Sequence, residues 1–360
     1  MPKYVSELTN EPYWESSPEY GRGNPKYEFE GDAHDWRVWH DAYPFEHFEE
    51  HVPRFMSEFG FQSHPSYEAI RYINNDGTIN IKSDDYSSHQ KHARGNELIR
   101  EYMQRDFPVP TNDRDYVYVS QLLQAYGMSK GIQAHRRARP YNMGTLYWQL
   151  NDCWPAVSWS SMDYFGNWKA LHYQVKRDFE NVLISNVVEN DTLKTYVVND
   201  NMETEVGDFE ILFKDFYGKV LYRKFEDSST SFVDGESSKI INTTDLKTLH
   251  LDYSNVYVVT RYSDKEVISF LEKRKKLKLE PTLISIKSER IAEGFKLTIG
   301  TKYFVNDVFL NTETKGHLND NFFSLEPNID KIIIFKTDSD IEPKFTYKTL
   351  NDMIWLNATD

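Results

Sequence analysis

The residues best suited to chemistry fall in a few short stretches. "RFMSEFGFQSHPS" (residues 54–66) sets one carboxylate, Glu58, inside an apolar run, followed at once by an aromatic and Gly60. Burying a carboxylate is costly unless it is paired or used. Glu58 is therefore either an ion-pair partner of Arg54 or another base, or the working group of a site. "GDAHDWRVWH" (residues 31–40) crowds two His, two Asp and two Trp together. Each polar head in a core needs a partner, so this density fits a loop lining a polar pocket with aromatic walls. "YWQLNDCWPAVSW" (residues 147–159) has the same character. Aromatic faces beside hydrogen-bonding groups suit a sugar, whose C–H faces stack on rings while its hydroxyls bond outward.

Two further patterns are weaker. "HFEEH" (residues 47–51) matches H-x-x-E-H, whose histidines share one helix face and could bind zinc. Between Pro44 and Pro53 it reads instead as a short surface helix with two solvated histidines, and no metal is expected. Cys153 has no adjacent histidine and reads as a buried, inert thiol. As the single cysteine it excludes an internal disulfide framework. No phosphate-binding or dinucleotide-binding glycine motif stands in a fitting context, so no cofactor is expected.

The elements that must position these residues follow from periodicity. Residues 54–61 read as a short buried strand and 143–152 as a second, opened by Gly144. Helical i, i+3, i+4 spacing of Tyr118, Leu122 and Tyr126 predicts a helix over 117–137, and 169–179 reads as another. Strand, helix, strand, helix implies parallel strands with crossover helices. Glu58 then lies at the C-terminal end of a parallel strand, where barrel enzymes keep their chemistry.

After residue 180 the texture changes to short alternating runs separated by Asn, Asp and Gly, the pattern of antiparallel sandwiches. The division expected is 1–180, a first sandwich at 181–272 and a second at 278–360. Lys273, Arg274, Lys275 and Lys276 fall between the last two and read as a solvated linker.

A formal charge of −14 argues against a nucleic-acid binder, which needs a basic face. No apolar stretch approaches the ~20 residues a membrane span needs. With no secretion signal in view, a cytoplasmic location is the expectation.

Taken together, "PRFMSEFGFQSHPS" and "GTLYWQLNDCWPAVSWSSMDYFGNWKALHYQVKRDF" resemble the β-mannosidases of glycoside hydrolase family 2. "PYWESSPEYG" and "GDAHDWRVWHDAYPFEHF" resemble two further blocks of that family, in the same order. The likeness is dense over residues 9–179 and weaker beyond. It implies the C-terminal part of a (β/α)8 TIM barrel followed by two Ig-like β-sandwich domains. It also implies retaining hydrolysis of terminal non-reducing β-D-mannose residues from oligosaccharides, without metal or cofactor. By the same resemblance Glu58 is the nucleophile and Trp148 the floor of the sugar subsite. His40 is a hydrogen bonder beside the nucleophile, and His34 and Trp36 belong to the pocket loop.

One departure stands out. The family's acid/base Glu lies in a "GNNE"-type motif upstream of the "PYW" block, which here begins at Pro12. "RGNE" (residues 94–97) comes after the nucleophile, on a polar helix, and does not replace it. The expectation is a C-terminal portion, inactive or nearly so alone. Its partners would be a β-mannoside oligosaccharide and a chain supplying the other half. The competing expectation is a non-catalytic carbohydrate-binding or structural fragment built on Ig-like sandwiches.

Overall fold

Two short strands, β1 (Ala33–His34) and β2 (Met56–Glu58), pair in parallel in the computed structural model, which describes residues 1–359. A third extended segment runs beside β2 in the same direction. Met56 N–H donates to Gly144 O (2.9 Å), Leu146 N–H to Met56 O (2.8 Å) and Trp148 N–H to Phe59 O (2.8 Å). Helices join these segments, ending with Asp113–Arg137 before the third and Ala170–Asp178 after it. The alternation follows the sequence pattern, but 143–152 is not one continuous strand. After Trp148 the chain leaves β2 and bonds to the returning segment instead, with Ser161 N–H to Gln149 O and Met162 N–H to Leu150 O, both 2.9 Å.

The long helix starts at Asp113, four residues earlier than apolar spacing suggests. The Asn112 side chain caps it, accepting from Asp115 N–H at 3.0 Å. Asp113 and Asp115 in the first turn and His135, Arg136 and Arg137 in the last complement the helix dipole. Its buried face packs on an aromatic core that includes Trp39, Phe45, Phe48, Phe59 and Phe61.

Lys169 is 1% exposed in this part of the molecule. Among the described residues its ammonium has hydrogen bonds only to the carbonyls of Ser63 (3.5 Å) and Ser158 (3.4 Å). Burial pushes its pKa down to about 7, with Asp152 and Asp163 opposing. Between about pH 7 and the unfolded value of 10.5 the unfolded chain keeps a proton that the folded chain has released. Stability therefore rises with pH across that window. Lys169→Met should flatten this rise and stabilise the chain at pH 7 by roughly 1–3 kcal/mol. Urea midpoints of the two proteins from pH 6 to 9.5 provide the check.

Residues 182–269 form a sandwich. A three-stranded sheet holds Val182–Glu189, Thr192–Asn199 and Ser237–Asp245; it faces a four-stranded one centred on Phe209–Asp215 and Val256–Tyr262. Ile184, Leu193 and Val197 meet Ile211, Phe213 and Val258 between them. A second sandwich sets Ile284–Ile291, Gly294–Thr301 and Lys331–Lys336 against Val305–Asn311 and its neighbours.

The stretch between the sandwiches is not a free linker. Lys273 pairs with Asp106 at 3.1 Å, and Lys275 Nζ donates to Gln104 O at 2.6 Å. Leu277 and Leu279 are buried with Phe216, Tyr257 and Phe304 in a core shared by both sandwiches. A run of charges reads as solvated because sequence shows its polarity, not the carbonyls and carboxylates that a folded neighbour offers.

Candidate active site

Glu58 ends β2 directly opposite His34 of β1. His34 Nδ1 lies 3.4 Å from Glu58 Oε2, and Trp36 Nε1–H donates to the same oxygen at 3.3 Å. Oε1 has no hydrogen bond among the described residues. The Glu58 side chain is 29% exposed, so the carboxylate stands at the rim rather than in the core. Arg54 takes no part: its guanidinium lies over the Tyr141 ring, 5.2 Å from the centroid.

Trp36 is the hub of an aromatic group. Its ring is edge-on to Trp148 (6.5 Å) and to Trp159 (6.0 Å), and tilted against His40 at 5.5 Å. Trp148 is 41% exposed, and its backbone N–H bonds to the carbonyl of Phe59, the residue after Glu58. Gly60 lets these parts meet. A Cβ there would lie 2.4 Å from Trp148 O and 3.1 Å from both the Trp36 and Trp159 rings.

His34 is held from behind. Its Nε2 is 3.2 Å from the Ser17 hydroxyl, which donates to Asp32 Oδ2 at 2.5 Å, as does Ser57. Burial raises the Asp32 carboxyl, but the hydrogen bonds from Ser17 and Ser57 outweigh it and hold it below the usual carboxylate range. Asp35 anchors the turn after β1. Burial would raise its carboxyl too, yet hydrogen bonds from His47 and Arg37 hold it well below the normal range.

The structure thus brings Glu58, His34, Trp36 and Trp148 to one place. His40 is a correction: it makes no hydrogen bond to Glu58 among the described residues. Instead it flanks Trp36 and lies 5.2 Å from His92, and burial lowers its pKa. The reason is geometric, since His40 sits on the short helix Arg37–Asp41, beyond the Trp36 ring. Ser17, Asp32 and Ser57 were missed, although alternation along 32–34 places Asp32 and His34 on one face.

Two other readings change as well. His47 is buried, not solvated, because its Nε2 meets Asp35 at 2.9 Å; His51 stacks on it and reaches Glu28 at 3.2 Å. Among the described residues no group of three or more His, Cys, Asp or Glu could hold a metal ion. Cys153 is exposed rather than buried. Glu97 of "RGNE" pairs with Arg94 at 2.9 Å on an exposed helix turn and makes no contact with Glu58.

Comparison with known proteins bears on both halves of the chain. Residues 279–353 match the Ig-fold domain of mannosidases. The β-mannosidase of Capra hircus is 31% identical over 188 residues, 48% of this chain and 20% of that protein. β-Mannosidase B of Emericella nidulans is 31% identical over 183 residues, 49% of this chain and 22% of its own. The β-D-mannosidase structure from Dictyoglomus thermophilum superposes on 97% of this chain with a TM-score of 0.86 and 29% identity. The chain looks like part of a family 2 β-mannosidase. It spans 44% of the Dictyoglomus protein, and its matched segment is about a fifth of the curated β-mannosidases. An exo-chitosanase from Amycolatopsis orientalis shares the fold at a TM-score of 0.68 and 14% identity. The chain thus carries an Ig-like domain at residues 279–353, within a sheet-rich second half.

Proposed function

We propose that this chain carries the nucleophile side of a β-mannosidase active site. The observation behind this is the asymmetry of Glu58: Trp36 and His34 meet one oxygen, the other has no hydrogen bond among the described residues, and the exposed Trp148 packs against the same Trp36. In this reading Glu58 Oε1 attacks the anomeric carbon of a terminal β-D-mannosyl residue. A covalent glycosyl-enzyme forms, and water then releases mannose with retained configuration. Trp148 supplies the stacking floor, and His34, Trp36 and His40 shape the wall around it. The step needs no metal or cofactor.

Retention also requires a proton donor ~5 Å from the nucleophile. Asp32 does not suit that role, because its depressed pKa keeps it an anion. Asp35 is tied to Arg37 and His47. We infer that the acid/base carboxyl comes from polypeptide outside these 360 residues, and that the chain alone turns over ordinary mannosides poorly or not at all. Met143, Leu146 and Leu150 are more than half exposed along the segment carrying Trp148, an uncovered edge that further strands would protect. Residues 1–180 would then be the C-terminal portion of a TIM barrel, with Ig-like sandwiches at 181–272 and 278–360.

A panel of 2,4-dinitrophenyl glycosides tests this reading, because the leaving group departs without protonation and bypasses the absent acid. Release from the β-mannoside, and little from the β-galactoside or β-glucuronide, is the expected result. A folded chain that releases no more dinitrophenol than Glu58→Ala would end the catalytic reading.

A further inference from the structure

His34 sits between two carboxylates, and the hydrogen bonds behind it decide which ring nitrogen carries a proton. Nε2 lies 3.2 Å from the Ser17 hydroxyl and 3.9 Å from Asp32 Oδ2, just before its own strand. Nδ1 lies 3.4 Å from Glu58 Oε2 on the neighbouring strand β2. No other charged group pairs with the ring among the described residues, and the Tyr27 hydroxyl donates to the His34 carbonyl instead. The loop carrying Ser17 is seated closely here: a Cβ on Gly31 would come within 2.8 Å of the Trp14 ring.

The tautomer follows from counting protons. Asp32 is an anion and can only accept, since the bonds from Ser17 and Ser57 outweigh the burial that would raise its carboxyl. Ser17 owns a single hydroxyl proton, and at 2.5 Å from Asp32 Oδ2 that proton is committed to the carboxylate. Toward His34 the Ser17 oxygen offers only lone pairs, so Nε2 must be the N–H. In a neutral imidazole the other nitrogen is then bare. Nδ1 therefore presents a lone pair to Glu58 Oε2, whose donor is Trp36 Nε1–H at 3.3 Å.

We propose that Asp32 and Ser17 are positioning residues that fix this tautomer and so make His34 Nδ1 a base facing Glu58. A proton arriving on Oε2 finds an imidazole lone pair beside it. The Oε2–H bond breaks, its electron pair stays on the carboxylate, and an Nδ1–H bond forms. The ring becomes an imidazolium between two anions. An imidazole ordinarily holds a proton more firmly than a carboxyl does, so the pair keeps Glu58 ionised. The rate consequence rests on Glu58 being the nucleophile; the tautomer does not.

Long-range 1H–15N spectra of the intact chain, labelled in its 11 histidines, read the tautomer directly, with His34→Gln identifying the signal. In the neutral ring Nε2 should carry the proton and Nδ1 none. Asp32→Asn is the decisive variant, because it keeps the shape and removes the anion. Ser17 is then free to donate to Nε2, and the ratio should swing toward Nδ1–H by roughly tenfold, the scale of one hydrogen bond. Ser17 is exposed, so its variants test the same link without touching the core. Ser17→Ala should erode the preference, and Ser17→Thr, which keeps the hydroxyl, should preserve it. In release from 2,4-dinitrophenyl β-D-mannoside, His34→Gln should move the acid limb of kcat/KM upward by about one pH unit, since Gln takes no proton. Nδ1–H in the unaltered neutral ring, or an unchanged ratio in Asp32→Asn and Ser17→Ala, would overturn the proposal. An active chain whose acid limb stays in place in His34→Gln would overturn the base role. The expected tautomer and swing, in a chain that releases no more than Glu58→Ala, would bear out the positioning and end the catalytic reading alone.

Discussion

Glu58→Ala should lower dinitrophenol release from 2,4-dinitrophenyl β-D-mannoside by about 10³-fold or more, the scale on which removing a nucleophile acts. The activated leaving group isolates this step, because dinitrophenolate departs with its electron pair and needs no proton. In the proposed reading the carboxylate is oriented for attack: Trp36 and His34 meet Oε2, while Oε1 has no hydrogen bond among the described residues. Azide supplies the decisive control. In the alanine variant it fits the space the carboxylate vacates and attacks the anomeric carbon from the same side. It should restore release and yield the α-mannosyl azide. Glu97→Ala should change nothing, since that carboxylate pairs with Arg94 in solvent. Equal rates for the unaltered chain and the Glu58 variant would remove Glu58 from the mechanism. Rescue that gives a β-azide would place attack on the wrong face.

Gly60→Ala is expected to be nearly as damaging, for a steric reason. The new methyl would stand 2.4 Å from the Trp148 carbonyl, which is backbone and cannot rotate away, with the Trp36 and Trp159 rings closing the other sides. Relief requires β2 and the segment 143–148 to separate. Overpacking of this kind costs about 1–3 kcal/mol. It also shifts Trp148 against Glu58, and a misplacement near 1 Å can cost about 10²-fold in rate. Gly21→Ala makes a fair control, having nothing within 4 Å and no positive φ. Urea midpoints and release rates for both variants should separate sharply, and a Gly60→Ala protein as stable and active as the control would refute this account of the site.

Several parts of this arrangement were legible before any fold was known. Apolar spacing placed the helices that end near Arg137 and Asp178, and short alternating runs marked the sandwich strands. The order of elements put Glu58 at a strand end beside an aromatic-rich loop. Such patterns are readable because helix and strand periods are local, so a dozen residues reveal which face is buried.

The sequence by itself determined the kinds of element and singled out the one carboxylate worth asking about. Only the tertiary structure decided what surrounds it. Nothing local tells that Ser17 would meet Asp32 behind His34, or that Arg54 would turn to Tyr141 and leave Glu58 to an indole and an imidazole. The same holds for His47, drawn inside by Asp35, and for the basic run at 273–276, docked on Asp106 and Gln104. A polar side chain carries its hydrogen-bonding capacity in its own chemistry. Its partner is fixed only when distant segments are packed together, because burial makes an unpaired group costly and so selects the pairing.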